Sequence, residues 1–261
     1  MVAERISSVA NPRVKAFAQL KESRERLRTG RFLIEGEREV TRAIEADVEI
    51  EILLICPELL ADPLPEHSAH IEILELTTAA IGKVARRQNP PGVIAIARQF
   101  DTTLDSLALS DDPLVLIAEG VEKPGNLGAM LRTADAVGVD AVVVAGAGTD
   151  VFNPNVVRAS QGALFSVPIA AASAADTIVW VDQHRLTVVA GYPEADRELW
   201  EVQMVGPLAI LVGAEDTGID SLWDGVAAPV RIPMAGAADS LNASVSAAVL
   251  LFEAARQRRR R

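Results

Sequence analysis

Past residue 113 the chain repeats one pattern: a short, mostly apolar run, then a loop that often holds glycine, then a stretch with helical spacing. The runs fall at residues 114–118, 141–145, 187–190, 208–212 and 229–232, with helices expected over 127–137, from 156, and from 241 to about 256. A strand that is apolar throughout, rather than at every second residue, must be covered on both faces. Such strands joined by helices form a mostly parallel sheet with helices on either side, an α/β architecture. Ligands of these sheets bind beyond the carboxyl ends of the strands. Three loops are expected there: residues 119–128, 213–219 and 233–242.

The first hundred residues read as a smaller α/β unit. Helical spacing runs from Val14 to Leu27 and stops at Gly30, and a second helix is expected over 37–45. Apolar runs at 50–55, 71–76 and 93–97 read as strands. The polar stretch from Gln99 to Pro113 (QFDTTLDSLALSDDP) lacks a core pattern. The expected organisation is thus residues 1–98, a linker at 99–112, and a second domain at 113–261.

Hydrophobic residues make up 49% and charged residues 23%, the balance of a globular protein with a substantial core. No apolar run is long enough to span a bilayer, the first residues lack an apolar leader core, and Cys56 is the only cysteine. A cytoplasmic location and no membrane are therefore expected. The net charge of −11 would argue against a nucleic-acid partner, but the charge is unevenly spread. Residues 1–42 hold ten Lys/Arg against six Asp/Glu, and residues 83–98 hold four bases and no acid. Residues 99–255 hold six bases among twenty-one acids, and five arginines follow from Arg256. Any grip on nucleic acid would come from local patches.

Each of the three loops carries polar groups with an ordinary alternative role. In EGVEKPGNLGAMLRTADAVG, Asn126 could cap the following helix and Arg132 could face back to a phosphate, or both could be plain helix residues. The spacing is not GxGxxG and no acid stands about twenty residues on, so a dinucleotide-dependent dehydrogenase is disfavoured. In VGAEDTGI, Glu215 could hold a hydroxyl or amine, or face solvent. In RIPMAGAADSLNASV, Ser240 could be the N-cap of the closing helix, with Asn242 just after it.

Taken in this order, the loops resemble the three signature motifs of the SpoU (TrmH) family of RNA ribose 2′-O-methyltransferases, in the SPOUT superfamily. Asn126, Gly128 and Arg132 match the first motif, and Gly213, Glu215 and Gly218 the second. The third is matched by Ile232, Pro233, Met234, Gly236, Ser240, Leu241, Asn242, Ser244 and Val245, with Ala243 where valine is commoner. Residues 153–169 resemble the segment between the first two motifs, including Arg158, Ser160 and Gly162. The resemblance spans about residues 113–257. More loosely, residues 5–98 resemble the ribosomal-protein-like RNA-binding extension of some members.

The resemblance implies S-adenosylmethionine as methyl donor, held by Gly213, Ile232 and Leu241, and no metal. A side chain at Gly213 is expected to obstruct the cofactor. It implies a deep trefoil knot, which general topology rules disfavour. It assigns catalysis to Arg132, Asn126, Glu215, Ser240 and Asn242. A guanidinium stays protonated, so Arg132 is better suited to holding a phosphate and stabilising charge on the 2′-oxygen than to acting as a base. RNA contacts are expected from Arg132, Arg158, Arg24, Arg26 and Arg31. The implied partners are RNA, above all ribosomal RNA, and a second copy of the chain as a homodimer. Transfer RNA, or a relative that binds RNA without catalysis, are the alternatives. His67, His70 and His184 match no catalytic pattern, and the first two are expected in a surface turn.

Overall fold

The computed structural model describes residues 4–61, 70–237 and 239–259. His67 lies outside the described residues. The chain divides into two compact units, one of residues up to Phe100 together with Asp150–Phe165, the other of Asp101–Thr149 and Ser166 onward.

The first unit is built on strands β1 (Glu4–Ile6), β2 (Arg31–Glu35), β3 (Ile50–Ile55), β4 (Glu72–Leu76) and β5 (Val93–Arg98), in the order β1-β4-β3-β5-β2. β1 and β3 run parallel to β4, while β5 is antiparallel to β2 and β3. Its helices are α1 (Pro12–Gln19), α2 (Ser23–Thr29), α3 (Glu37–Glu45) and α4 (Thr78–Val84). A later segment of the chain adds helix α6 (Pro154–Ser160), which packs on β2. That return brings Phe152 against Phe32 and Phe100, each with ring centroids 4.9 Å apart.

The single helix expected from Val14 to Leu27 is broken in two, and Arg26 accounts for the break. Its Nη1 donates to the carbonyls of Leu20 (2.9 Å) and Lys21 (2.8 Å), satisfying acceptors where α1 ends. The opposite side of the guanidinium binds Asp150, with Nε at 2.9 Å and Nη2 at 2.5 Å from Oδ2. Arg26 is only 1% exposed. Its charge is therefore committed inside the unit, and the expected RNA contact at this residue is replaced by a structural one. Gly30 ends α2 in the left-handed conformation, as the sequence predicts.

The second unit holds β6 (Leu114–Glu119), β7 (Ala141–Ala145), β8 (Ile169–Ala172), β9 (Thr187–Gly191), β10 (Leu208–Val212) and β11 (Ala227–Val230). The order is β11-β9-β10-β6-β7-β8, and every pairing is parallel. β6, β7 and β10 are buried along their whole length, as their unbroken apolar sequences require. The helices are α5 (Pro124–Val137), α7 (Ala174–Gln183) and α8 (Ala243–Arg258), with α8 packed on α5 and β10. The polar stretch after Gln99 belongs to this unit: Thr102 accepts a hydrogen bond from Ala171 N at 2.8 Å and Leu107 enters the core.

β8, α7, β1, β2 and α4 carried no sequence expectation. His184 follows α7 with its ring 4.8 Å from that of Trp180, and His70 stands in a turn. No helix among the described residues is long and apolar enough to cross a membrane. Replacing Asp150 by alanine leaves the Arg26 charge buried without its partner, which is expected to lower stability by about 3 kcal/mol. Urea unfolding monitored by circular dichroism measures that loss.

Candidate active site

Because all six strands run the same way, the loops after β6, β9, β10 and β11 emerge at one edge of the sheet. Strand order reverses between β6 and β10, opening a crevice between their carboxyl ends. A cavity of about 300 Å³ lies at this edge. Gly191 ends β9, and Tyr192 and Pro193 follow it; Gly213–Glu215 and Thr217–Ile219 follow β10; Ile232, Met234 and Asp239–Leu241 follow β11; Ala243 and Ser246 begin α8. The three expected cofactor residues Gly213, Ile232 and Leu241 all line it.

β11 ends at Val230, two residues before the expected end of that strand. Ile232 is thereby released from the ladder into the cavity wall. Pro229 is tolerated because β11 is an edge strand paired only with β9.

The loop after β10 turns back on itself. Ala214 N donates to Gly218 O and Gly218 N to Ala214 O, both at 3.1 Å, and Gly218 takes φ +70°. A Cβ on Gly213 would stand 2.3 Å from Gly218 O and 2.7 Å from Ile219 Cγ1. The glycine is thus required by the folding of its own loop, whereas the sequence pointed to obstruction of the ligand.

Beside the cavity, Glu215 gathers three donors. Lys123 Nζ binds Oε2, while Asn126 Nδ2 (3.0 Å) and Asn242 Nδ2 bind Oε1. Asn242 Nδ2 also reaches Asn126 Oδ1 at 3.2 Å. Lys123, with Asn126 second, holds the Glu215 carboxyl below the usual carboxylate range, so it is an anion and a poor proton acceptor. A second, polar recess is lined by Val121–Lys123, Asn126, Ala214–Thr217 and Ala243.

Two caps differ from expectation. α5 begins at Pro124, so Asn126 sits within its first turn and its side chain is spent on Glu215 and Asn242. The N-cap of α8 is Asn242, not Ser240: Asn242 Oδ1 accepts from Ser244 N (3.0 Å) and Ser244 Oγ (2.6 Å). This leaves Ser240 free on the cavity wall. Arg132 lies eight residues into α5, about 12 Å along the axis. It is exposed, makes no hydrogen bond or ion pair, and lines neither the cavity nor the recess.

Lys123 and Tyr192 carried no expectation. Lys123 precedes the motif asparagine and meets its partner 92 residues away, a pairing no local spacing reveals. Tyr192 directly follows the glycine that ends β9, a position that signals a ligand-facing loop. Burial, then the charges of Asp224 and Glu119, raise its phenol above the ordinary value. Glu119 closes β6 with its carboxyl buried and its pKa raised by that burial, and it accepts from Asp220 N at 3.1 Å. The Trp223 indole Nε1 is buried without a partner in hydrogen-bond geometry, although near enough to Glu119 to oppose that rise.

Residues 113–252 match the SpoU rRNA Methylase family. The chain belongs to this family. Residues 11–95 match the MRM3-like substrate binding domain. The 23S rRNA (uridine(2479)-2′-O)-methyltransferase of Streptomyces viridochromogenes is 33% identical, with 98% of this chain and 93% of that protein aligned. The 23S rRNA (guanosine(2553)-2′-O)-methyltransferase RlmP of Bacillus subtilis is 30% identical over 95% of this chain and 98% of its own. Among solved structures, an RNA 2′-O ribose methyltransferase superposes with a TM-score of 0.84 and 47% identity, over 97% of this chain and 98% of that one. The AdoMet-bound rRNA methyltransferase of Sinorhizobium meliloti gives 0.89 and 31%, over the same shares of each chain.

The cavity of this SpoU family member fits S-adenosylmethionine. Val212, Ile219, Ile232 and Leu241 provide apolar walls for a purine, and Asp239, Ser240 and Ser246 provide polar groups for hydroxyl, amine and carboxylate. Among the described residues no cluster of three or more His, Cys, Asp or Glu could hold a metal. Gly213→Ala is expected to displace the 213–218 loop and reduce S-adenosylmethionine binding at least tenfold while the fold persists. Calorimetry on the variant, alongside its circular dichroism, checks this.

Proposed function

We propose that this chain transfers the methyl group of S-adenosylmethionine to the 2′-hydroxyl of a ribose in ribosomal RNA. The observation that carries this reading is the convergence of all three family motifs on one sheet edge, where the cavity meets the Glu215 network. S-adenosylmethionine supplies the electrophilic methyl. Gly213, Ile232 and Leu241 support the cofactor through loop backbone and apolar surface. Lys123, Asn126 and Asn242 saturate Glu215, which makes it a scaffold that locks the first and third loops to the second. Positioning of this kind accounts for much of the rate in a reaction between two bound partners.

Arg132 is the expected catalytic group, holding RNA phosphate and stabilising negative charge on the attacking oxygen. Its distance from the cavity of its own protomer supports a homodimer in which a second copy completes the site. The exposed apolar residues Val245 and Phe252, seven apart on one face of α8, provide a surface for that contact. The knot implied by the family belongs to the same reading, with α8 as the threaded element. Transfer to RNA takes place in the cytoplasm on this reading.

Arg132→Ala is expected to reduce methyl transfer about a hundred- to a thousandfold, a loss of the size seen when a charge-stabilising group is removed, with S-adenosylmethionine binding unchanged. Tritium transfer to 23S ribosomal RNA, with calorimetry for the cofactor, checks both; turnover near that of the parent overturns the assignment. Light scattering is expected to give twice the chain mass, and Phe252→Asp to shift it toward the monomer.

A further inference from the structure

Most arginines of the first unit are already paired. Arg5 meets Glu58 and Glu75, Arg13 meets Glu4 and Glu72, Arg28 meets Glu25, and Arg31 and Arg98 both meet Glu51. Arg31, an expected RNA contact, would have to leave its carboxylate to hold a phosphate. In a different set of cations, Arg42, Arg86 and Arg158 form no ion pair among the described residues, while Arg38 binds Oε1 of the buried Glu39 through Nη2 at 2.8 Å.

Arg38 and Arg42 lie one helical turn apart on α3 and so share a face. Arg38 Nη1 donates to Gln161 Oε1 at 3.2 Å, and the stem of Arg42 lies across Gly162, whose Cβ would meet its Cγ at 2.7 Å. Arg158, three residues before Gln161 at the end of α6, is exposed and unpaired. Next to Gly36, where α3 starts, a Cβ would meet Glu39 Oε2 at 2.7 Å and Arg87 Nη2 at 3.6 Å, so Arg87 joins the same region. Arg86 is exposed beside it, its backbone N–H donating to Glu35 Oε1 at 2.8 Å.

The acids within this strip lie beneath it. Glu35 is 4% and Glu39 3% exposed, while Arg38 is 55% exposed above them. Glu37 is turned to the backbone N–H of Ala61. The Arg87 Nε is buried with no partner. Lys21 adds charge at one end: burial first, then the positive charges of Lys83 and Arg86, lower its pKa.

We propose that the strip formed by the exposed Arg42, Arg86 and Arg158, with Arg38 and the half-buried Arg87 between them, is the surface by which this unit grips the phosphate backbone of folded ribosomal RNA. This rests on the ribosomal RNA reading above, keeps the expected contact at Arg158, and replaces those at Arg26 and Arg31 by cations of α3 and the loop after α4. Free guanidiniums release condensed counterions when they meet phosphate, so the strip provides affinity without reading sequence. The phenylalanines among the described residues of this unit are all buried or half-buried, so none offers a platform to solvent. Contact with phosphate is what a strip of guanidiniums without a phenylalanine platform supplies first, and helical RNA, recognised by shape and backbone, offers that contact.

The test is filter binding of the whole chain to 23S ribosomal RNA over a series of salt concentrations. Arg42→Ala, Arg86→Ala and Arg158→Ala together are expected to weaken binding at least tenfold and to flatten the log-affinity against log-salt slope by about three. These three side chains make no bond in the folded unit, so melting temperature and S-adenosylmethionine binding should be unchanged. Lys15→Ala with Arg28→Ala, two exposed cations on α1 and α2, the second already paired with Glu25, should change affinity less than twofold. A parent-like affinity and slope in the triple variant, or an equal loss in the double control, overturns the strip while leaving the methyl-transfer reading intact. A parent chain that binds S-adenosylmethionine but neither binds nor methylates ribosomal RNA overturns both.

Discussion

The catalytic edge depends on a carboxylate shared by three loops. Parallel strands bring those loops to one side of the sheet, but proximity does not fix their relative positions. Glu215 does so by taking a cation from the loop after β6, an amide from the first turn of α5 and an amide from the cap of α8. Asn242 links this junction to the helix behind it, since one of its ends binds Glu215 while the other accepts from Ser244. The cavity wall and the helix start are thus set by the same side chain. Without Lys123, the Glu215 anion would keep only amide partners in a half-exposed position, where hydration competes with each bond.

The loop after β10 shows a related economy. Its two glycines at 213 and 218 serve different ends: one removes a Cβ that would strike the loop's own carbonyl, the other takes a left-handed turn. Together they close a backbone ring tight enough to form a ligand wall from main chain. Glu119 braces the far side of this loop through Asp220 N, from the end of the neighbouring strand β6. Its raised pKa records what burial of that brace demands.

Much of the second unit was legible because its strands are apolar along their length, and no other element leaves that trace between glycine-bearing loops. The cavity residues Gly213, Ile232 and Leu241 were legible only through the order of the motifs. What escaped was decided by distant partners. The spacing from Val14 to Leu27 predicts one helix, and nothing nearby shows that Arg26 would fold back to close α1 while binding an aspartate 124 residues away. Ser240 and Asn242 are equally good caps by residue type, and the choice is made by Glu215 drawing the amide end of Asn242 to itself. Short elements such as β1 and β2 escaped because a few apolar residues flanked by charge carry no period.

An acidic protein with an RNA partner has to arrange its cations in space, since their number works against it. The first unit divides its arginines by the acids beside them. Where glutamate alternates with arginine on exposed strands, the charges cancel in pairs that contribute little to stability. Where the acids are drawn into the interior, Glu39 pairs with Arg38 from below and Glu35 holds the Arg86 backbone N–H, while the side chains of Arg42, Arg86 and Arg158 stay exposed to solvent without a carboxylate partner. Burying the acid beneath the base therefore organises a positive strip without adding charge, and a net charge of −11 then describes the whole chain but not the face that an RNA would meet.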